Sequence, residues 1–145
     1  MKLIRATGDL FTSRDNLAHC VSRDFHMNAG IAVKFKSTFG NQEKLSSGGW
    51  SVGTTARLTT NDRHVFYLVT KERYFLKPSY DSLKASLVEL ARWVELLGIE
   101  RLAIPRLGCG KDGLKWPIVR RILIEVFEGI NVIITVFRLR RELKD

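Results

Sequence analysis

The sequence predicts an α/β fold, one sheet covered by helices on both faces, and three observations predict it. Short β-branched runs alternate with longer stretches of helical periodicity. Hydrophobic residues make up 45% of a 145-residue chain, which suits one domain with one continuous core and leaves too little for two. From residue 64 onward the chain reads strand, helix, strand, helix, strand, and crossovers of that kind make parallel strands.

Taken in order, Lys2–Thr7 is the first strand and residues 17–21 the second. Residues 30–39 form a short helix with Ile31, Phe35 and Phe39 on one face and Lys34 and Lys36 turned outward. Residues 41–49, rich in Ser, Gly and Asn, read as a surface loop. Residues 52–58 and 64–70 are strands joined through Asn61 and Asp62, which suit the turn of a hairpin. The clearest helix spans 79–97: Leu83, Leu87, Leu90, Val94 and Leu97 recur at helical spacing, with Ser79 as N-cap and Gly98 as stop. A strand at 100–104 leads through a glycine-rich loop to a helix over 117–127 that turns Val119, Leu123 and Val126 inward. Gly129 ends that helix, and 131–137 is the last strand.

Twenty-four Lys and Arg against 15 Asp and Glu leave a net charge of +9. That excess favours polyanionic partners, because basic side chains gain free energy by neutralising phosphates and releasing counterions. Part of it lies in residues 138–145, a solvated basic tail beyond a single domain over 1–137. No run approaches the ~20 uninterrupted apolar residues that cross a bilayer. The charged start does not read as a signal peptide. An intracellular monomer of the nucleus or cytoplasm, with no membrane partner, is expected. Cys20 and Cys109 stand far apart without zinc-type spacing, so neither a disulfide nor a metal is expected.

Parallel strands end at one edge, so Lys71, just past one strand, and the loop just past its neighbour should open on the same side of the sheet. Open α/β sheets bind ligands there. In Arg106-Leu107-Gly108-Cys109-Gly110-Lys111-Asp112-Gly113 three glycines let backbone N–H groups approach a phosphate without Cβ obstruction. The spacing matches neither the Walker pattern nor the dinucleotide fingerprint, so this loop alone also fits an ordinary tight turn.

Six segments occur in order between Arg5 and Phe137: Gly8-Asp9-Leu10-Phe11, Leu17-Ala18-His19-Cys20, Ala29-Gly30-Ile31-Ala32-Val33, Tyr67-Leu68-Val69-Thr70-Lys71, Lys77-Pro78-Ser79-Tyr80 and Pro105-Arg106-Leu107-Gly108-Cys109-Gly110-Lys111-Asp112. Together they resemble the macrodomain family, in its branch of terminal ADP-ribose protein glycohydrolases and O-acetyl-ADP-ribose deacetylases. The resemblance implies a three-layer α/β/α fold with a central mixed sheet, no cofactor, and ADP-ribose and ADP-ribosylated proteins as partners. It implies that Asp9 accepts a hydrogen bond from the adenine amino group, and that the segments at Gly30 and Gly108–Gly110 surround the diphosphate and distal ribose. It extends ligand contact to Leu10, Ser22, Ile31, Ala32, Pro105, Arg106, Leu107, Cys109 and Gly110, and gives Lys71 and Asp112 the catalytic roles. Asn28 stands where members commonly carry glycine, and Asn tolerates left-handed backbone.

Other chemistry-bearing residues have plainer readings. His19 lies in a strand and reads as a core histidine, His26 and His64 have no visible partner, and Cys109 reads as small-residue packing. Trp50, Trp93 and Trp116 read as packing, while Phe11, Tyr74 and Phe75 are candidates to wall a nucleotide pocket. Two further functions fit the same residues: a reader that binds ADP-ribose without turnover, and a nucleic-acid binder or eraser of ADP-ribose on nucleic acid working through the basic surface.

Overall fold

The computed structural model describes residues 1–142. Its elements are β1 (Lys2–Thr7), a 3-10 turn (Leu10–Thr12), β2 (Asn16–Ser22), α1 (Ile31–Phe39), α2 (Gln42–Ser46), β3 (Thr54–Thr59), β4 (His64–Lys71), α3 (Tyr80–Leu97), β5 (Arg101–Ile104), α4 (Trp116–Val126), β6 (Ile133–Arg138) and a second 3-10 turn (Arg140–Glu142). The stretch read as a loop at 41–49 contains α2. Its Leu45 is buried and holds five residues as helix against the α1 side of the sheet. Of the tail, Arg140–Glu142 forms the second 3-10 turn, and residues 143–145 lie outside the described residues.

The six strands lie in the order β1-β6-β5-β2-β4-β3, giving a mixed sheet. Every neighbouring pair is parallel except the hairpin of β3 and β4. The expectation that β4 and β5 are neighbours is corrected: β2 lies between them and pairs with both. The crossover through α3 therefore passes over β2. The common edge survives this change, since β1, β2, β4, β5 and β6 all run the same way and end on one side.

The pairing of β2 with β4 carries a bulge. Val21 pairs with Val69 and Ser22 with Lys71, so Thr70 is skipped. The Thr70 carbonyl accepts instead from Ser82 Oγ at 2.7 Å, and the Lys71 carbonyl accepts from the Arg23 N–H at 2.8 Å.

Alternation along β4 divides the core. Phe66 and Leu68 pack with Leu83, Leu87, Leu90 and Val94 of α3 and Val119 and Leu123 of α4. Val65, Tyr67 and Val69 pack with Phe35 of α1, Leu45 of α2 and Phe25. The core is thus two clusters separated by the sheet, where the composition suggested one. Burying each of these large side chains contributes ~1.5–3 kcal/mol. The helix ends are set locally. Ser79 and Ser82 form a reciprocal capping box at the start of α3, and Gly98 closes it with φ 63°. Pro117 stands in the first turn of α4, where a missing N–H costs nothing. No helix among the described residues is long and apolar enough to cross a membrane.

Candidate functional site

Four strand ends deliver the expected residues to the carboxyl edge. Asp9 follows β1 and caps the first 3-10 turn, accepting the Phe11 N–H at 2.9 Å, and Leu10 behind it is buried. Ser22 ends β2, is buried, and donates to Asp24. Gly30 is the residue before α1, with φ 59° and ψ −146°, and Ile31 and Ala32 form the first turn of that helix. Pro105, Arg106, Leu107, Gly108, Cys109 and Gly110 make the loop after β5, where Leu107 is buried and Gly108 has φ 70°.

The loop folds back on itself. The Cys109 N–H donates to the Arg106 carbonyl at 3.2 Å, Gly113 to Gly110 at 3.1 Å and Leu114 to Gly108 at 2.9 Å. A Cβ on Gly108 would stand 2.7 Å from Leu114 Cδ1, the far end of a side chain, and the φ of 70° is the stronger reason that this turn favours glycine. Lys77 Nζ donates to the Lys111 carbonyl and ties the loop to the segment before α3.

This folding carries Asp112 to Lys71. Lys71 Nζ donates to Asp112 Oδ1 at 2.6 Å, and the two side chains are only 14% and 20% exposed. The pair is thus largely withdrawn from water, while Gly110 and Lys111 of the same loop are exposed. Cys20 lies against it: burial and the Asp112 charge raise the Cys20 thiol, and Lys71 opposes them. Burial likewise pushes the Cys109 thiol up to about 11 against the pull of Arg106, so both sulfurs keep their protons.

The segment between β2 and α1 is ordered by Asp24, which the sequence reading missed. Its Oδ1 accepts the His26 N–H at 3.2 Å and its Oδ2 the Tyr74 N–H at 3.2 Å. Burial works against ionisation of Asp24, and hydrogen bonds from Ser22, Tyr74 and His26 outweigh it and hold the carboxyl below its usual range. His26 does have partners. Its ring stacks on Tyr74 at 3.9 Å and Nε2 meets Asn28 Nδ2 at 2.8 Å. The left-handed backbone in this segment falls on Phe25 (φ 50°) and Met27 (φ 51°) rather than on Asn28. Tyr74 and Phe75 are exposed beside it.

Lys34 is turned outward as its helical position suggests, with its side chain 51% exposed, and Nζ also donates to Asp9 Oδ2 at 2.7 Å, a contact the sequence did not show. That hydrogen bond, followed by the one from the Phe11 backbone, holds the Asp9 carboxyl below its usual value. The only available signal was adjacency to Phe35, the residue that seats α1.

The remaining candidates are structural. His19 is buried, stacked on Phe35 at 3.7 Å with Tyr67 edge-on at 5.0 Å, and burial pushes it down to about 3. Trp93 donates to the Thr55 carbonyl at 2.9 Å, and the Arg106 guanidinium lies 5.3 Å from the centre of the Trp116 ring. At the opposite, amino edge of the strands a cavity of about 590 Å³ is lined by Arg14, Asn16, Asp62, His64 and Arg101 among others. It holds none of the expected site residues.

No protein-family model matches the chain. Individual proteins do. The chain is 42% identical over 134 residues to ADP-ribose glycohydrolase OARD1 of Homo sapiens, covering 91% of this chain and 88% of that protein. It is 26% identical over 124 residues to the DNA ADP-ribosyl glycohydrolase of Mycobacterium tuberculosis, covering 79% of this chain and 34% of that longer protein. Among solved structures, the macrodomain of Mycobacterium tuberculosis DarG superposes with a TM-score of 0.86 at 24% identity, covering 93% of this chain and 96% of that one.

Proposed function

The chain belongs to the macrodomain family as an ADP-ribose glycohydrolase, and from that premise we propose that it removes mono-ADP-ribose from acidic side chains, with Lys71 as nucleophile and Asp112 as proton carrier. The observation that carries this reading is the contact of 2.6 Å between Lys71 Nζ and Asp112 Oδ1 at the carboxyl edge. The turns at Gly30 and Gly108 hold positive φ and supply close backbone approach for a diphosphate and its distal ribose.

Asp112 takes a proton from the Lys71 ammonium, and the freed amine attacks the anomeric carbon of the distal ribose. The bond from that carbon to the glutamate or aspartate oxygen breaks as Asp112 passes its proton to that oxygen, and the side chain leaves as the free acid. Water, deprotonated by Asp112, then displaces the lysine from the anomeric carbon. ADP-ribose departs and the ammonium is restored. Cys109 takes no part as a nucleophile, since its thiol keeps its proton near neutral pH. The O-acetyl ester of ADP-ribose is a second substrate: water, deprotonated by Asp112, adds to the acetyl carbonyl, the ester bond breaks, and acetate and the ribose hydroxyl are released. Asp9, with Leu10 and Phe11, receives the adenosine end.

One observation favours a second reading. The net charge of +9 suits a nucleic-acid carrier of the ADP-ribose group, and the Mycobacterium tuberculosis relative is named for that substrate. The deciding experiment incubates the protein with a glutamate-ADP-ribosylated protein and with ADP-ribosylated single-stranded DNA under borohydride, then locates any ribosyl adduct by mass spectrometry. An adduct on Lys71 from the protein substrate is the expected result. Release from DNA alone selects the second reading, and binding of ADP-ribose without release from either makes the chain a reader.

A further inference from the structure

Lys34 stands in the first turn of α1, and its ammonium is committed to Asp9 Oδ2 at 2.7 Å while lying 4.9 Å from the centre of the Phe11 ring. The Phe11 N–H holds Asp9 Oδ1 from the other side at 2.9 Å. Two donors therefore fix the carboxylate, and its lone pairs leave room for about two more. The Lys34 and Asp9 side chains remain 51% and 41% exposed. An ion pair this open adds little to the stability of a fold. What it does provide is a fixed donor and a fixed acceptor side by side, next to an aromatic ring, at the edge where the strands end.

A planar heterocycle with the opposite pattern fits that template. Adenine carries an amino donor flanked on each side by a ring-nitrogen acceptor, N1 or N7. We infer that Lys34 reads the base of the bound nucleotide together with Asp9: the ammonium donates to a ring nitrogen while the carboxylate accepts from the amino group. This rests on the reading above that ADP-ribose lies with its base at Asp9. A 6-keto base sets an acceptor against the Asp9 carboxylate, so the pair selects for the amino form.

Calorimetry tests this with ADP-ribose and its 1-deaza and 7-deaza adenine analogues on the wild type and on Lys34→Met. ADP-ribose binding to Lys34→Met weakens on the order of tenfold, the worth of one charge-assisted hydrogen bond, and Lys34→Arg recovers part of the loss. One deaza analogue binds the wild type as weakly as ADP-ribose binds Lys34→Met, and Lys34→Met no longer distinguishes that analogue from ADP-ribose. A lysine that only braces the turn would leave that discrimination intact. Unchanged or tighter ADP-ribose binding by Lys34→Met overturns the inference, and so does equal discrimination by both proteins. Asp9→Ala separates the two levels. If it leaves ADP-ribose binding untouched, the base is elsewhere and the placement of the ligand fails. If it weakens binding while Lys34→Met does not, the role of Lys34 alone is lost.

Discussion

Lys71 Nζ and Asp112 Oδ1 lie 2.6 Å apart across 41 positions of sequence, on strand ends that β2 separates. Neither residue depends on the other for its place: β4 and its bulge set Lys71, and the folded glycine loop sets Asp112. Each can therefore be replaced without moving the other far. Lys71→Ala is expected to lower release of ADP-ribose from a glutamate-modified protein by ~100-fold or more, and Asp112→Ala by a similar factor, the range for loss of a positioned acid–base or nucleophilic group. Both should still bind ADP-ribose in calorimetry. Wild-type turnover by Lys71→Ala would end the lysine mechanism.

Gly30 occupies φ 59° and ψ −146°, and a Cβ built there meets no atom within 4 Å. Gly30→Ala thus tests backbone conformation without crowding. It should destabilise the fold by ~1–3 kcal/mol, the cost of holding a side-chain-bearing residue in that region. Denaturant unfolding gives the loss, and ADP-ribose affinity should fall with it because the turn opens onto the first turn of α1.

His19 links stability to acid. Its folded value of about 3 lies below the ordinary 6.5, so between those two pH values the unfolded chain binds a proton that the folded protein refuses. Its contribution is complete above pH 6.5 and is lost as pH falls toward 3, at a limiting slope of ~1.4 kcal/mol per pH unit. Denaturant midpoints at pH 7, 6, 5 and 4 should fall more steeply for the wild type than for His19→Leu as the pH drops. Parallel curves would show that the imidazole titrates normally.

Cys109 should react slowly for a cysteine beside an open loop. Burial raises its thiol to about 11, so the thiolate is scarce at neutral pH. Iodoacetamide labelling followed by mass spectrometry should be slow at pH 7.5 and accelerate with each unit of pH toward 11. Fast labelling at pH 7.5 would contradict the burial argument, and a Cys109→Ser variant should keep its hydrolase activity.

Much of this molecule was readable from one-dimensional pattern. The leucine spacing of α3, the Ser79 cap and the Gly98 stop depend on residues a few positions apart, and all three took their expected places. What local pattern does not encode is strand order. Nothing in residues 16–22 says that they insert between β4 and β5, because that choice is made by faces that meet only after the chain has folded. The short helix α2 escaped for a related reason: its five residues carry one buried apolar side chain, Leu45, too few for a period to register. Within the site, the glycine turns, Lys71 and Asp112 were legible. Lys34 and Asp24 were not, since each acts through a contact with a distant residue, Asp9 and Tyr74 respectively.

The skipped residue in β4 sets the handedness of the chemistry. In an unbroken strand Lys71 would share the side of Val65, Tyr67 and Val69, the layer that houses Phe35 and His19. With Thr70 left out of step, Lys71 falls level with Ser22 and emerges on the side of Cys20 and Asp112. Pairing β4 straight through, with Thr70 opposite Ser22, would leave every layer its apolar partners and still aim the amine at the wrong half of the molecule. The frame would stand, and its reactive group would face inward with nothing to act upon.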